Sequence, residues 1–387
     1  PFSGGAAIFE GIPQLAAQRK MILIFTQYFT PAKKAGGPIT SITNMIEQLD
    51  IDFKVVARGH DLNESKVLSV ELNQWTNNNS RWYVGFGMKS IFSFIQEIRK
   101  QRKQTFYING LFDFKLNFLP ILFGKKLIVA PRGMLQKGAL QNGHLKKRTY
   151  LALLQLVLKT KRVKWHATDL VEAMDITTIF GEQEIEAISN LIAVPKEVKL
   201  NSSKKQDQLR LVYFSLIAEK KNLLFLLECM AQSNADIYLD VVGPIKDQSY
   251  FERCKAFIDL HPKLLEKVCF NGPAEANFMQ VHAAEYDYFV LPTKGENFGH
   301  AIIESLANGL PVLISDSTPW NFDQASHSGL YSLPLNQEDW QNTLKEVVKQ
   351  NAEQHQVSKR MAIEYFNKNI ASKNEATKHA YLQLFEK

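Results

Sequence analysis

Cysteine is scarce: Cys229, Cys254 and Cys269 are the only three in 387 residues, an odd number with no C-x-x-C pair. That spacing argues against a disulfide framework or a zinc site and suits a reducing cytoplasm. No run of eighteen or more apolar residues occurs, so a transmembrane span is not expected. Neither a G-x-G-x-x-G following a first strand nor a Walker phosphate loop is present, which leaves a nicotinamide enzyme poorly supported. No cluster of metal ligands is evident. Acidic residues are the minority, and a formal net charge of +7 suits anionic ligands or an anionic surface without choosing between them. Residues Pro1 to Lys20 lack an initiator methionine and the order of a signal peptide, and they carry Gly4-Gly5. They are expected to be an expression remnant or a disordered prelude, with the fold beginning at Met21.

What is present is a globular composition, 45% hydrophobic and 22% charged, in a chain long enough for two domains. Short apolar runs at Met21–Phe25, Phe53–Ala57, Trp82–Phe86, Thr105–Asn109, Leu127–Ala130 and Val163–Ala167 alternate with helical stretches such as Ile39–Leu49. After the polar run Asn201–Asp207 the alternation restarts at Leu211–Phe214, Ile237–Val242, Val268–Phe270, residues 286–291 and Val312–Ile314. Strands spaced by helices predict two α/β domains, each a Rossmann-like, doubly wound parallel sheet. The first spans 21–195 and the second 196–371, with a boundary near 195–207. Two such domains leave a cleft between the C-terminal ends of their strands, where open α/β sheets bind ligands.

The most informative segment is Pro292-Thr293-Lys294-Gly295-Glu296-Asn297-Phe298-Gly299-His300, which runs directly into a helical pattern from Ala301 to Val312. Strand, Gly-containing loop and helix start follow in order. The amides of Phe298, Gly299, His300 and Ala301 are placed to face an anion, with the helix dipole favouring a diphosphate. Helical side chains lean toward the N-terminus, so Glu304 reaches back beside that anion while Glu296 faces the other end of the same ligand. Two carboxylates there make sense as acceptors for sugar hydroxyls. The same residues also describe an ordinary helix start, with Asn297 as cap, Glu304 in the first turn and Glu296 solvated.

This run resembles the E-x7-E signature of family 4 of the retaining, nucleotide-sugar-dependent glycosyltransferases with the GT-B fold, known as glycosyl transferases group 1. The resemblance covers nearly the whole chain after Met21. It implies two Rossmann-like domains facing across a cleft, and a C-terminal helix within about 372–387 that crosses back to the first domain. Transfer with retained anomeric configuration is implied, with Glu296 orienting the donor sugar, Glu304 the ribose, and Lys221 the diphosphate together with the 298–301 amides. No metal or other cofactor is implied; the nucleotide sugar is a co-substrate, and the acceptor is a glycan or a polyprenyl- or other lipid-linked sugar, as in polysaccharide biosynthesis.

Other positions follow from the same resemblance. In Phe214–Leu223 the family's Lys falls on Lys221, but its Arg falls on Leu216, a departure that removes a bidentate phosphate clamp. Pro131-Arg132-Gly133-Met134 resembles a loop that projects Arg132 into the cleft near phosphates or acceptor; a plain surface loop is the other reading. Gly36-Gly37 resembles the glycine loop that approaches donor or acceptor, or it is a loop needing positive φ. Asn109 stands where many members carry a histidine, so no general base is assigned there. His166 resembles a recurring element on the acceptor side, against the commoner role of a hydrogen-bonded structural histidine. Asn271 and Gly272 stand where the nucleobase meets backbone groups, or in an ordinary turn. The basic, apolar stretch His144–Arg162 is a core helix with solvated lysine ends or one that lies in a membrane interface. The alternatives to a transferase are a GT-B pseudoenzyme and a basic membrane-surface binding protein. Nucleic acid is not expected, because aromatics do not interleave with the basic runs. The expected location is the cytoplasm, with the inner face of the cytoplasmic membrane as the place of contact.

Overall fold

The computed structural model describes residues 21–77, 80–141, 144–198, 200, 204–275, 277–323, 327 and 329–386. The expectation for residues 1–20 lies outside these, as do residues 201–203 of the expected boundary.

The first sheet contains β1 (Met21–Thr26), β2 (Asp52–Arg58), β3 (Trp75–Thr76), β4 (Arg81–Val84), β5 (Thr105–Asn109), β6 (Lys126–Ala130), β7 (Val163–Ala167) and β8 (Glu184–Ala187). Its order is β3-β4-β2-β1-β5-β6-β7-β8, parallel except where β3 meets β4. The second contains β9 (Gln208–Phe214), β10 (Asp236–Val242), β11 (Val268–Gly272), β12 (Tyr288–Leu291), β13 (Val312–Ser315) and β14 (Tyr331–Leu333), ordered β11-β10-β9-β12-β13-β14 and parallel throughout. In each sheet the order reverses once, between β1 and β5 and between β9 and β12. Those reversals open the crevices in which doubly wound sheets take ligands.

Side-chain alternation along the strands sorts the first core into two layers. Leu23, Phe25, Phe106, Ile108, Leu127 and Val129 face helices Gly87–Gln101, Leu119–Phe123, His144–Leu158 and Leu170–Phe180, meeting Phe94, Ile121, Leu154 and Ile176. Ile22, Ile24, Tyr107 and Ile128 face the opposite way, onto helix Gly37–Gln48. The same layer receives Tyr381, Leu384 and Phe385 from the last helix, Asn374–Glu386. Asn374 seats that helix, donating to Gln48 Oε1 at 2.7 Å and accepting from the Ile192 amide at 3.3 Å. The chain therefore starts in the first core, builds the second, and ends in the first.

Phe385 is fully enclosed and packs edge-on against Phe53 and Tyr107. Phe385→Ala is expected to destabilise the first domain by about 3–5 kcal/mol, the range for truncating a buried aromatic. Urea melts read by hydrogen exchange should show the loss in β1, β2 and β5 and spare the core of β9 to β14.

Candidate functional site

At the second reversal, two loops leave neighbouring strands and are tied together by their backbones. The Lys294 amide donates to Lys220 O at 2.8 Å, Thr293 Oγ1 donates to the same carbonyl at 3.1 Å, and the Glu296 amide donates to Ser317 O at 3.1 Å. This lacing brings Lys221, after β9, onto Glu296, after β12: the Lys221 ammonium donates to Glu296 Oε2 in a close, largely buried ion pair. The Asn297 amide donates to Glu296 Oε1 at 3.1 Å. Burial opposes ionisation of Glu296, but the Lys221 charge and these hydrogen bonds outweigh it and hold its carboxyl below the usual range. The residues assigned to the diphosphate and to the donor sugar thus hold each other.

Helix His300–Ala307 begins directly afterwards. Its cap is Gly299 at φ +79°, which has no side chain to bond the first amides. At Gly299 the positive φ strains any other residue, and an added Cβ would sit 2.9 Å from Ile302 Cδ1 and 3.2 Å from Glu296 Cγ, so those side chains would have to shift. Trp320 fixes the entry, donating from Nε1 to Phe298 O at 2.6 Å. One turn in, the Glu304 carboxyl has neither hydrogen bond nor ion pair among the described residues, and burial alone pushes its pKa up to about 8. A partnerless carboxyl beside an uncapped helix start is costly unless something else supplies the donors. His300 is held at about 4 by burial, with the Glu296 charge opposing and the Arg132 charge assisting, so its ring is neutral near pH 7.

The facing wall comes from the first domain. Gly36, at φ +58°, starts helix Gly37–Gln48, again without a side-chain cap. A Cβ on Gly37 would lie 3.2 Å from His300 Cδ2, so the two uncapped helix starts meet across the cleft with their positive ends toward a common space. Arg132, at φ +58°, turns its fork inward: Nε donates to Asn109 Oδ1 at 2.7 Å, Nη1 to Asn190 Oδ1 at 2.6 Å and Nη2 to the Tyr107 hydroxyl at 2.5 Å. Arg132, expected to project into the cleft, is thus held at its fork by these three partners. It is a braced positive charge in the wall, with no carboxylate among these partners.

The two acceptor-side residues are both internally hydrogen-bonded, which for His166 is the commoner role of a structural histidine. Asn109 is buried, accepts from Arg132 and donates to Thr26 Oγ1 at 3.1 Å, so it has become a brace. His166 is fully enclosed, with Nδ1 2.7 Å from the Tyr107 hydroxyl and Nε2 2.8 Å from Ile188 O. Burial first, then the Arg132 charge, lowers its pKa to about 3. The carbonyl requires the proton on Nε2, so Nδ1 accepts from Tyr107, whose oxygen accepts from Arg132. His166 is the end of a structural relay and not a proton-transfer group.

Sequence reasoning missed the residues that join the walls. Asn297 Nδ2 donates to Thr168 Oγ1 at 3.3 Å, and Asn297 Oδ1 accepts from Gln136 Nε2 at 2.9 Å. Buried Glu172 accepts from the Gly133 amide at 2.5 Å and from the Thr168 amide and hydroxyl, each at 2.7 Å. The capping pattern Asp169-x-x-Glu172 was the available signal. Asn271 and Gly272 prolong β11 two residues past the expected end; Asn271 is exposed and accepts from Cys269 Sγ at 3.1 Å, and Gly272 O accepts from the Gly243 amide at 2.7 Å.

Residues 196–363 match the family described as Glycosyl transferases group 1. The second domain is thus similar to the glycosyl transferases group 1 family. The matched segment contains both glutamates, Lys221 and Leu216. Over the whole chain, an uncharacterised 41.2 kDa protein in the cps region of Klebsiella pneumoniae is 21% identical across 371 residues, 91% of this chain and 96% of that protein. The crystal structure of Anabaena HepE in complex with UDP-glucose superposes with a TM-score of 0.68 at 15% identity, covering 94% of this chain and 99% of that one. Sucrose-phosphate synthase from Thermosynechococcus elongatus gives 0.67 at 14% identity, covering 95% and 100%. The fold is GT-B.

Because Glu304 titrates higher in the folded chain than at its unperturbed 4.5, the folded state binds the extra proton between those values. Its contribution to stability is full below pH 4.5 and is lost as pH rises through about 8. Glu304→Gln is therefore expected to flatten the alkaline loss of stability, gaining about 1–3 kcal/mol over wild type in urea melts at pH 9 and little at pH 4.

Proposed function

We propose that the protein is a retaining glycosyltransferase that moves a sugar from a nucleoside diphosphate to a glycan or lipid-linked acceptor. The observation that carries the reading is Glu304: an unpartnered carboxyl beside an uncapped helix start, one turn from a buried Lys–Glu pair, at the strand reversal of the group 1-like domain. In this reading its two oxygens accept from the ribose hydroxyls of the nucleotide. UDP-glucose is the first donor to try, because it is bound in the HepE structure.

The chemistry needs charge stabilisation more than a protein base. The bond from the anomeric carbon to the β-phosphate oxygen breaks, and its electron pair stays on that oxygen. Lys221, the amides of 298–301 and the fixed charge of Arg132 take up the negative charge that develops. Neutral His300 is a hydrogen-bond donor to phosphate or sugar. The acceptor oxygen bonds to the same face of the anomeric carbon, and its proton passes to the departing phosphate. Glu296 meanwhile orients the sugar, drawing on a carboxylate that Lys221 keeps ionised. These cationic groups supply the neutralisation for which other transferases use a divalent ion, so activity is expected to survive EDTA. The cytoplasm, at the inner face of the membrane, is where nucleotide sugars and such acceptors meet.

The departure at Leu216 favours a second reading, a GT-B scaffold without transfer. Lysines partly fill the gap: Lys220 has its pKa lowered by burial first and then by the charges of Lys221 and Lys246, which places three ammonium groups around this loop. Leu216→Arg is expected to tighten UDP by about 1–2 kcal/mol if the new fork reaches both phosphates. Glu304→Ala is expected to weaken UDP and UDP-glucose alike by about 1–3 kcal/mol, the cost of losing hydrogen bonds to a charged group. Calorimetric titration checks both, with thermal melts confirming folded variants; equal nucleotide affinity in wild type and Glu304→Ala contradicts the ribose assignment.

A further inference from the structure

Glu172 lies in the first turn of helix Leu170–Phe180, 1% exposed, and the transfer chemistry above makes no use of it. Helix capping does not account for it either. Asp169 caps that helix, accepting from the Glu172 amide at 2.8 Å, and a glutamate in this position ordinarily turns back to the amide of the cap. Glu172 reaches one residue further, to the amide and hydroxyl of Thr168, and with its other oxygen to the Gly133 amide in the loop that carries Arg132. Both of the residues it holds abut Asn297 of the second domain. A Cβ on Gly133 would lie 3.2 Å from Asn297 Cγ, and Thr168 Oγ1 stands 3.3 Å from Asn297 Nδ2.

The polarity of these bonds decides what the first domain can receive. Thr168 has one hydroxyl proton and gives it to Glu172 Oε2, so toward the cleft its oxygen is an acceptor and takes only a donor. The Asn297 carboxamide supplies that donor from Nδ2, while its Oδ1 accepts from Gln136 Nε2 at 2.9 Å. An aspartate would set oxygen against oxygen. Asn297 is also the residue whose main-chain amide donates to Glu296 Oε1 at 3.1 Å, on the carboxylate that Lys221 holds from the other side. One hydrogen-bonded chain therefore runs from Glu172 through Thr168 and Asn297 to Glu296, starting in one domain and ending in the other.

We propose that Glu172 and Thr168 are positioning residues: they form a socket in the first domain that grips the Asn297 carboxamide and, through the Asn297 main chain, sets the orientation in which Glu296 meets the donor sugar. Glu296 is then aligned only while the two domains are joined, so a donor held by the second domain alone is bound without its sugar being oriented. The claim about Glu296 rests on the transferase reading; the grip on Asn297 does not.

Thr168→Val keeps the shape of the side chain and removes the hydroxyl, whereas Thr168→Ser keeps the hydroxyl. With UDP-glucose as donor and water as acceptor the products are glucose and UDP, and UDP release gives kcat and KM without a glycan acceptor. Thr168→Val is expected to lower kcat by about tenfold to a hundredfold, the scale of a small misplacement of a reacting group, with KM, UDP affinity and melting temperature at wild-type values. Thr168→Ser should restore kcat, and Asn297→Asp should reproduce the loss. Glu172→Gln, which can no longer accept at both ends of its side chain, should act in the same direction; the Thr168 pair decides the matter should that buried change unfold the domain. Hydrogen exchange over residues 296–299, measured without donor, should quicken in Thr168→Val and not in Thr168→Ser. Wild-type kcat in Thr168→Val, an equal loss in Thr168→Ser, or a loss that appears in KM or melting temperature instead overturns the positioning role. Unchanged exchange in Thr168→Val overturns the socket. UDP release absent from wild type, with exchange still responsive, would strike the transferase reading and the role of Glu296 while leaving the grip on Asn297 standing.

Discussion

Each parallel sheet reverses its strand order once, and almost everything at the site follows from that constraint. Where two neighbouring strands send their connections to opposite faces, the loops part and leave their backbone groups facing an open crevice. Between β9 and β12 the parting loops carry Lys221 and Glu296; between β1 and β5 they carry the segment before Gly36 and the end of β5 at Asn109. Both crevices open toward each other, and helices Gly37–Gln48 and His300–Ala307 start at their mouths without side-chain caps. The cleft is thus built from peptide dipoles before any charged side chain is considered.

The charged groups on this frame are held in two different ways. Arg132 is anchored through Tyr107 to a neutral His166, with no carboxylate among its hydrogen-bond partners given above and the Glu172 charge nearby. Lys221 and Glu296 form a largely buried ion pair, and the Lys221 charge helps to hold the Glu296 carboxyl below its usual range. Glu304 is the exception: it is half-buried, without a hydrogen bond or ion pair among the described residues, and burial pushes its pKa up to about 8, which predicts stability lost as pH rises toward that value. Such a locally unfavourable group persists where function needs it. The domains meet through Asn297, whose amide touches Thr168 and Gln136, beside Gly133, where an added Cβ would come within 3.2 Å of Asn297.

The sequence disclosed the architecture well because the central strands are short apolar runs buried on both faces, as at Leu23–Phe25 and Phe289–Leu291. It was silent on β3, β8 and β14, all at sheet edges, where Glu184-Ile185-Glu186-Ala187 has too little apolar content to read as a strand. The motif around Glu296 and Glu304 was legible since its parts lie on one continuous strand, loop and helix. The Lys221–Glu296 pair was not, because its members are 75 residues apart and meet only through the lacing of two loops. For Asn109 and His166 the sequence left two roles open for a related reason: a strand end next to a cleft can point into it or under it, and only the packing of Tyr107 and Tyr381 decides.

The central claim is that Glu304 waits protonated and becomes a carboxylate when ribose hydroxyls reach it, since such hydrogen bonds favour the charged form. Calorimetry of UDP-glucose binding at pH 7, repeated in buffers of different ionisation enthalpy, counts the protons exchanged. The account predicts release of close to one proton by wild type and none by Glu304→Gln. Binding by wild type with no proton release, or equal release by the variant, would contradict it.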